Sequence, residues 1–339
     1  GRQLGIASFP FGWCHGMEVG DWKSTGELGP LYRQIRKLGL EQNIAELVAF
    51  GFTILEPGKA APVAWVEGLR DKLLEVAERR TGVKHDVVTG EHGHLDVQPP
   101  FKHQYILYYL LLEDPVFQQA ICNPYLLALQ TYMLGFDCRL SSCTSFVKWR
   151  DEQGYGPTLG LHADTPVTHP LPVGKDTHTG NSAFLLTDYT LDNGALAMVP
   201  GSHRYARQPR PGEGADAAIP IEAPMGSLVV WNGNMWHGAF PRKTDGLRLV
   251  LTMYFNRWYL YPQEDYRHTV TQEILDANPK RLAVLLGLAN PNMWDNVQGP
   301  DFAGAAQTMA AAYEEAGLPN PAAPHATRIA TDEADLAAG

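Results

Sequence analysis

The chain has 339 residues, 45% hydrophobic and 19% charged, a balance normal for a globular protein that buries a large core. Its formal net charge of −10 argues against a nucleic-acid partner, which needs clustered Lys and Arg. No apolar run approaches the length of a membrane span, so no membrane association is expected.

Four cysteines (Cys14, Cys122, Cys138, Cys143) show no C-x-x-C spacing and read as buried thiols in a reducing cytoplasm. The start, Gly1 to Gly5, has no signal-peptide pattern, so a cytoplasmic location is expected. Residues 1–36 are rich in Gly, Pro and aromatics (Phe9, Phe11, Trp13, Trp22) and read as an irregular N-terminal arm. From Leu40 the spacing turns helical, with Leu40, Ile44, Leu47 and Val48 on one face. Gly51 ends that helix, and Phe52 to Leu55 reads as a short strand. A second amphipathic helix carries Val66, Leu69, Leu73 and Val76. Residues 81–103 are polar, hold four histidines and read as a loop. Helices are expected to resume at Gln104. Asp114-Pro115 and Asn123-Pro124 are cap-then-proline starts, in which Asp or Asn accepts from an orphan amide and Pro takes the first helical position. Residues 37–135 are therefore expected to be a mainly helical front.

The grammar then changes. Residues 136–149 alternate, and strand candidates follow at 158–164, 182–188, 195–199, 227–232, 236–240 and 247–257, separated by Gly, Pro, Asn and Asp turn signals. This punctuation indicates a sandwich or jelly roll over 136–262. Beyond Pro262 the chain reads helical again, at 269–288 and 302–316. These C-terminal helices span 263–318, and 319–339 reads as an arm or tail. The expectation is one domain over 1–339: an all-β core with helical additions (α+β).

Leu159-Gly160-Leu161-His162-Ala163-Asp164-Thr165 is the stretch that carries chemistry. In a strand, His162 and Asp164 would point to the same face as a pair of metal ligands. Such a pair alone is a weak signal, and a surface turn competes with it. His237 lies 73 residues beyond Asp164 and opens a strand candidate. It would complete the 2-His-1-carboxylate face of a non-heme Fe(II) oxygenase. Eleven residues further, Arg248 shares one face of an alternating strand with Val250, Thr252 and Tyr254, opposite Leu249, Leu251, Met253 and Phe255. A buried Arg wants an anion, and its planar fork suits the distal carboxylate of a dicarboxylate. A structural ion pair, for example with Asp188, is the competing reading. His203 reads as a turn residue, and Arg204, Arg207 and Arg210 as solvated surface. Trp149, Tyr155, Trp236 and Trp258 default to core. A rival cluster, Glu91-His92-Gly93-His94-Leu95-Asp96, lacks a third ligand at zinc-like spacing and reads as loop.

With Gly194-Ala195-Leu196-Ala197-Met198-Val199-Pro200-Gly201-Ser202-His203-Arg204 and the run Gly226 to Arg242, these motifs resemble the phytanoyl-CoA dioxygenase family of Fe(II)/2-oxoglutarate-dependent oxygenases. The resemblance covers about Leu40 to Pro262. It implies a double-stranded β-helix with His162, Asp164 and His237 as ligands of Fe(2+), and Arg248 on the C5 carboxylate of 2-oxoglutarate. Ala163 and Ala239 stand where some family members have polar residues, so further contacts to 2-oxoglutarate are expected from Thr252, Thr144 or Lys148. The carboxylate of Asp164 favours oxygenation over halogenation. The expected activity is a dioxygenase that hydroxylates or otherwise oxidises an unactivated C–H, converting 2-oxoglutarate and O2 to succinate and CO2. Its expected partners are a small-molecule substrate and O2, with no nucleic acid and no membrane, and a homodimer is possible. The alternatives are a non-catalytic jelly-roll ligand-binding protein and a cupin-type metal-dependent isomerase or hydrolase. Specificity is expected in loops 165–181 and 81–103.

Overall fold

The computed structural model describes residues 28–95, 103–165, 176–290, 297, 299–318 and 320. The arm aromatics, Asp96, most of loop 165–181 and the tail lie outside the described residues.

The last part of the expected arm is a helix, α1 (Leu28–Lys37), which buries Leu31 and Ile35. Their spacing of four is a helical signal that the Gly- and Pro-rich neighbourhood masks. Next come α2 (Glu41–Phe50), β1 (Phe52–Leu55) and α3 (Val63–Thr81). Val66, Leu69, Leu73 and Val76 of α3 are all fully buried. In α2 the expected Val48 is instead 53% exposed. Asn43 takes the inward place and donates to Thr53 Oγ1 at 2.8 Å, tying α2 to β1.

Gln104 opens a strand rather than a helix: β2 (Gln104–Leu107) pairs with β3 (Arg139–Lys148) as Gln104↔Lys148 to Leu107↔Ser145. A four-residue Gln-Tyr-Ile-Leu run is too short for periodicity to separate helix from strand, and the available sheet edge decides it. The two cap-then-proline starts form as expected. Asp114 accepts from the Val116 amide at the start of α4 (Pro115–Ile121), and Asn123 accepts from the Tyr125 and Leu126 amides of α5 (Pro124–Leu134).

The remaining strands are β4 (Thr179–Leu185), β5 (Leu196–Met198), β6 (Ile219–Pro220), β7 (Leu228–Asn232), β8 (His237–Ala239) and β9 (Arg248–Asn256). A six-stranded sheet runs β1-β7-β4-β9-β3-β2 and a three-stranded sheet runs β6-β5-β8, both antiparallel. This is the expected jelly-roll core flanked by helices. β4 begins three residues earlier than expected, because Asn181 pairs with both Trp231 and Tyr254. The expected strand at 158–164 does not form. Pro157 sits in a 3-10 turn, and Leu159 and Gly160 take left-handed backbone (φ +54° and +63°), so only one bridge, His162↔His237, survives. The helical stretch 269–288 splits into α6 (Gln272–Asp276) and α7 (Lys280–Leu285) around Pro279, and α8 (Phe302–Glu315) follows. No described helix is long and apolar enough to cross a membrane.

Alternation along β9 separates two compartments. Leu249, Leu251, Met253 and Phe255 join the large core under the helices. Val250, with Ala183, Leu185 and Trp231, belongs to a second cluster on the opposite face. That inner face holds the site.

Beyond β9 the chain is pinned by Glu264, which is 3% exposed. Its carboxylate accepts the Tyr109 amide at 2.6 Å, the Cys143 amide at 2.8 Å and the Tyr266 hydroxyl. Removing it strands the buried Cys143 amide and the half-buried Tyr109 amide. Glu264→Ala is expected to lower unfolding free energy by roughly 2–4 kcal/mol, and Glu264→Gln by less, both measured by urea titration.

Candidate metal centre

Strand register sets out the inner face in rows. Ser142 faces Tyr254, Thr144 faces Thr252, Phe146 faces Val250, and Lys148 faces Arg248. Tyr254 in turn faces Asn181, which faces Trp231. A cavity of about 330 Å³ lies against these rows, reaching from Ser142 and Tyr254 at one end to Arg248 at the other.

His162, Asp164 and His237 meet at the Tyr254 end. One ligand atom from each lies within 4.8 Å of the others, and this is the one such group of His, Cys, Asp and Glu among the described residues. His162 Nε2 is 3.7 Å from Asp164 Oδ1, and His237 Nε2 is 3.5 Å from Oδ2. Each ring is aimed by its other nitrogen. His162 Nδ1 lies 2.8 Å from the Gly160 carbonyl and His237 Nδ1 lies 3.0 Å from that of Met235. A carbonyl only accepts, so Nδ1 carries a proton and Nε2 is the atom turned toward the centre, where it can ligate a metal once it carries no proton. Although burial alone would lower it, the Asp164 carboxylate and the Gly160 carbonyl together raise the His162 pKa. Residues outside the triad aim the carboxylate as well. Asn181 Nδ2 donates to Asp164 Oδ2 at 3.0 Å, Trp231 Nε1 donates to the same oxygen at 3.3 Å, and the Tyr254 hydroxyl donates to the Asp164 carbonyl at 2.9 Å. Burial raises the Asp164 pKa, but the two imidazoles and the Asn181 bond outweigh it and hold the carboxyl well below its usual range. Burial lowers the His237 pKa. The centre opens on one side: the His162 side chain is 54% exposed, against 15% for Asp164 and 7% for His237.

The backbone brings the three together although no 158–164 strand exists. His162 and His237 exchange N–H···O bonds of 2.9 Å, the Ala239 amide donates to Leu159 O at 3.0 Å, and that of Thr165 donates to Gly233 O at 3.0 Å. Gly238 permits this approach, since a Cβ there would lie 2.1 Å from Leu159 O.

Arg248 is 3% exposed. It donates from Nη1 to Gly194 O and stacks over Tyr189 with Cζ 4.8 Å from the ring centre, while its Nε has no partner. The alternative ion pair is absent, because Asp188 accepts instead from the Met225 amide. Thr144 and Thr252 line the cavity with their hydroxyls 2.7 Å apart. Lys148 does not reach the cavity surface: it is fully buried and donates to Phe240 O at 2.8 Å.

Elsewhere, the described part of the rival cluster is spent on packing, with His92 stacked on Trp149 at 4.1 Å and its Nδ1 2.8 Å from Gly90 O. Arg207 pairs with Glu213, and the buried His203 ring packs near Gly51. Tyr155 lines the cavity, whereas Trp236 is core. Asn181, Trp231 and Tyr254 escaped the sequence reading as a supporting shell. Tyr254 shares the Arg248 face and was within reach of it, but Asn181 was lost with the register of β4.

The family model described as Phytanoyl-CoA dioxygenase (PhyH) matches residues 48–250. Dioxygenase af480 of Aspergillus fumigatus is 26% identical over 186 residues, covering 54% of this chain and 59% of that protein. The uncharacterized protein Rv1501 of Mycobacterium tuberculosis is 33% identical over 125 residues, covering 36% of this chain and 45% of that protein. The chain thus matches only about half the length of these relatives. The non-heme alpha-ketoglutarate-dependent carbocyclase SnoK from nogalamycin biosynthesis superposes with a TM-score of 0.50 at 16% identity, over 68% of this chain and 90% of that chain. At that identity the likeness speaks for the fold alone.

Two substitutions separate the supporting shell from the fold. Asn181→Ala is expected to weaken Co(II) binding by roughly tenfold with far-UV circular dichroism unchanged. Gly238→Ala drives the Leu159–His162 segment off β8 and is expected to weaken it further. Absorption titration with Co(II) reads both, and unaltered affinity in both variants would refute this account of the centre.

Proposed function

The chain belongs to the phytanoyl-CoA dioxygenase family, and from that premise we propose that it is a non-heme Fe(II)/2-oxoglutarate-dependent dioxygenase. It hydroxylates, or otherwise oxidises, an unactivated C–H of a small organic molecule. One observation carries this reading. Two imidazole Nε2 atoms and a carboxylate converge at one end of a cavity, and at the other end a buried guanidinium has no carboxylate partner among the described residues.

The donor set fits the metal. Two neutral imidazoles and one carboxylate on one side leave the other side for co-substrate and O2, as in the facial triad of such oxygenases. The cavity fits 2-oxoglutarate, whose two carboxylates need a metal at one end and a cation at the other. A ferrous ion bound there, with 2-oxoglutarate and O2, supplies the oxidising power for C–H functionalisation, leaving succinate and CO2.

The chain's own residues do the rest. Gly160 O and Met235 O fix the tautomers of His162 and His237. Asn181 and Trp231 hold Asp164 Oδ2 in place. Arg248 receives the distal carboxylate, and the Thr144 and Thr252 hydroxyls offer hydrogen bonds along the cavity wall. Phe146 and Val250 give the wall between the two ends an apolar patch. Asp164 occupies the position where a small residue would admit a halide, so oxygenation is the favoured outcome. A cupin-type isomerase or hydrolase would have no use for the buried Arg248.

The proposed setting is a single catalytic unit over 1–339 in the cytoplasm, with a substrate smaller than a CoA thioester. The thiols of Cys122, Cys138 and Cys143 support a reducing compartment.

Anaerobic addition of 2-oxoglutarate to the Fe(II)-loaded protein is expected to produce a weak visible charge-transfer band. The band should vanish with chelator and return with Fe(II), and His162→Ala should lack it. Arg248→Ala should weaken 2-oxoglutarate binding by roughly 30-fold or more. Tight zinc binding with no such band would sink the proposal.

A further inference from the structure

At the end of the cavity away from the triad, three basic side chains crowd one glycine. Lys148 and Arg248 are cross-strand partners, and Gln104 of β2 faces Lys148 from the other side. Gly194 O accepts from Arg248 Nη1, and a Cβ on Gly194 would lie 3.2 Å from Lys148 Nζ and 3.1 Å from Arg242 Cβ. Lys148, Arg242 and Arg248 are all buried, at 0%, 5% and 3% exposure.

None of the three has a carboxylate within ion-pair distance among the described residues. Arg242 is satisfied by the carbonyls of Asn193, Asp245 and Gly246. Lys148 makes one hydrogen bond, to Phe240 O, so an ammonium there would leave two N–H groups without an acceptor. The other neighbours do not help. The Tyr155 ring centre is 5.9 Å from Nζ. The buried His103 ring packs on Tyr155, and burial and then Lys148 lower its pKa. Asp151 spends Oδ1 on the Gln153 and Gly154 amides. The Tyr189 phenol is held protonated by burial.

Guanidinium groups keep their protons at neutral pH, so the amine is the group that yields. Burial, then Arg248 and Arg242, bring Lys148 down to about 6.

We infer that Lys148 is a proton-accepting positioning residue for the co-substrate. It is an uncharged amine behind Arg248 in the free site, and it takes a proton from solvent when a dicarboxylate's distal carboxylate settles on Arg248. This rests on the co-substrate reading above and adds a consequence for specificity. The incoming carboxylate offsets the field of Arg248, a new Nζ–H bond forms, and the buffer loses one proton. A monocarboxylate 2-oxo acid, which leaves Arg248 uncompensated, induces no such change. The complex holds one proton more than the free site, so affinity falls as pH rises above about 6, by up to about tenfold per pH unit. Below that pH the free site is already protonated and the slope vanishes.

Calorimetry on the full chain loaded with Mn(II), with 2-oxoglutarate as probe in phosphate, HEPES and Tris at pH 7.5, reads the proton count. Uptake of about one proton per 2-oxoglutarate is expected, none with pyruvate, and none with 2-oxoglutarate in Lys148→Met. Heats independent of buffer in the parent protein overturn the inference while leaving the co-substrate reading standing. Equal uptake with pyruvate also overturns it, and that comparison needs no variant. Absence of any 2-oxoglutarate binding overturns both.

Discussion

Two peptide groups hold the site together. His162 and His237, 75 residues apart, exchange backbone hydrogen bonds of 2.9 Å across a single antiparallel bridge. Left-handed residues precede His162, and no strand runs through it. By itself that segment would wander. Bonded to β8 it inherits the rigidity of a strand, and the bonds at Leu159 and Thr165 clamp its two ends. A metal centre needs its donors placed within a fraction of an ångström, which sheet-borne residues provide better than loops. The bridge makes a loop behave as a strand for the length of two candidate ligands, His162 and Asp164.

The cavity is also polarised. One end gathers an ionised carboxylate between two imidazoles, and the other gathers buried basic groups without an anion among the described residues. The basic end alone is unfavourable, because buried charge without a partner costs several kcal/mol. The large apolar core beneath the helices offsets that cost. Under the proposed function, a cation at one end and a carboxylate at the other would complement this arrangement, and the carboxylate would relieve the unpaired basic end.

Much of this was legible beforehand, for identifiable reasons. Alternation of Arg248, Val250, Thr252 and Tyr254 against Leu249, Leu251, Met253 and Phe255 placed both faces of β9, because period two has one structural meaning in a long run. The caps at Asp114 and Asn123 were equally local: a side-chain oxygen and a proline suffice. Where local signals were short or mixed, expectation failed. Gln104 to Leu107 joined an edge that only the folded sheet supplies, and β4 slid three residues to pair Asn181 with Trp231 and Tyr254.

The order of residues alone indicated the helical front, apart from β2, and the strand-rich centre, because those depend on spacing within one element, whereas the resemblance to a family supplied His162, Asp164, His237 and Arg248 as candidate site residues. Tertiary structure decided how they meet. The bridge at His162, the donors on Asp164 and the crowding of Lys148, Arg242 and Arg248 around Gly194 all arise between segments far apart in the chain. Register and burial set those contacts, and neither can be read within a single element.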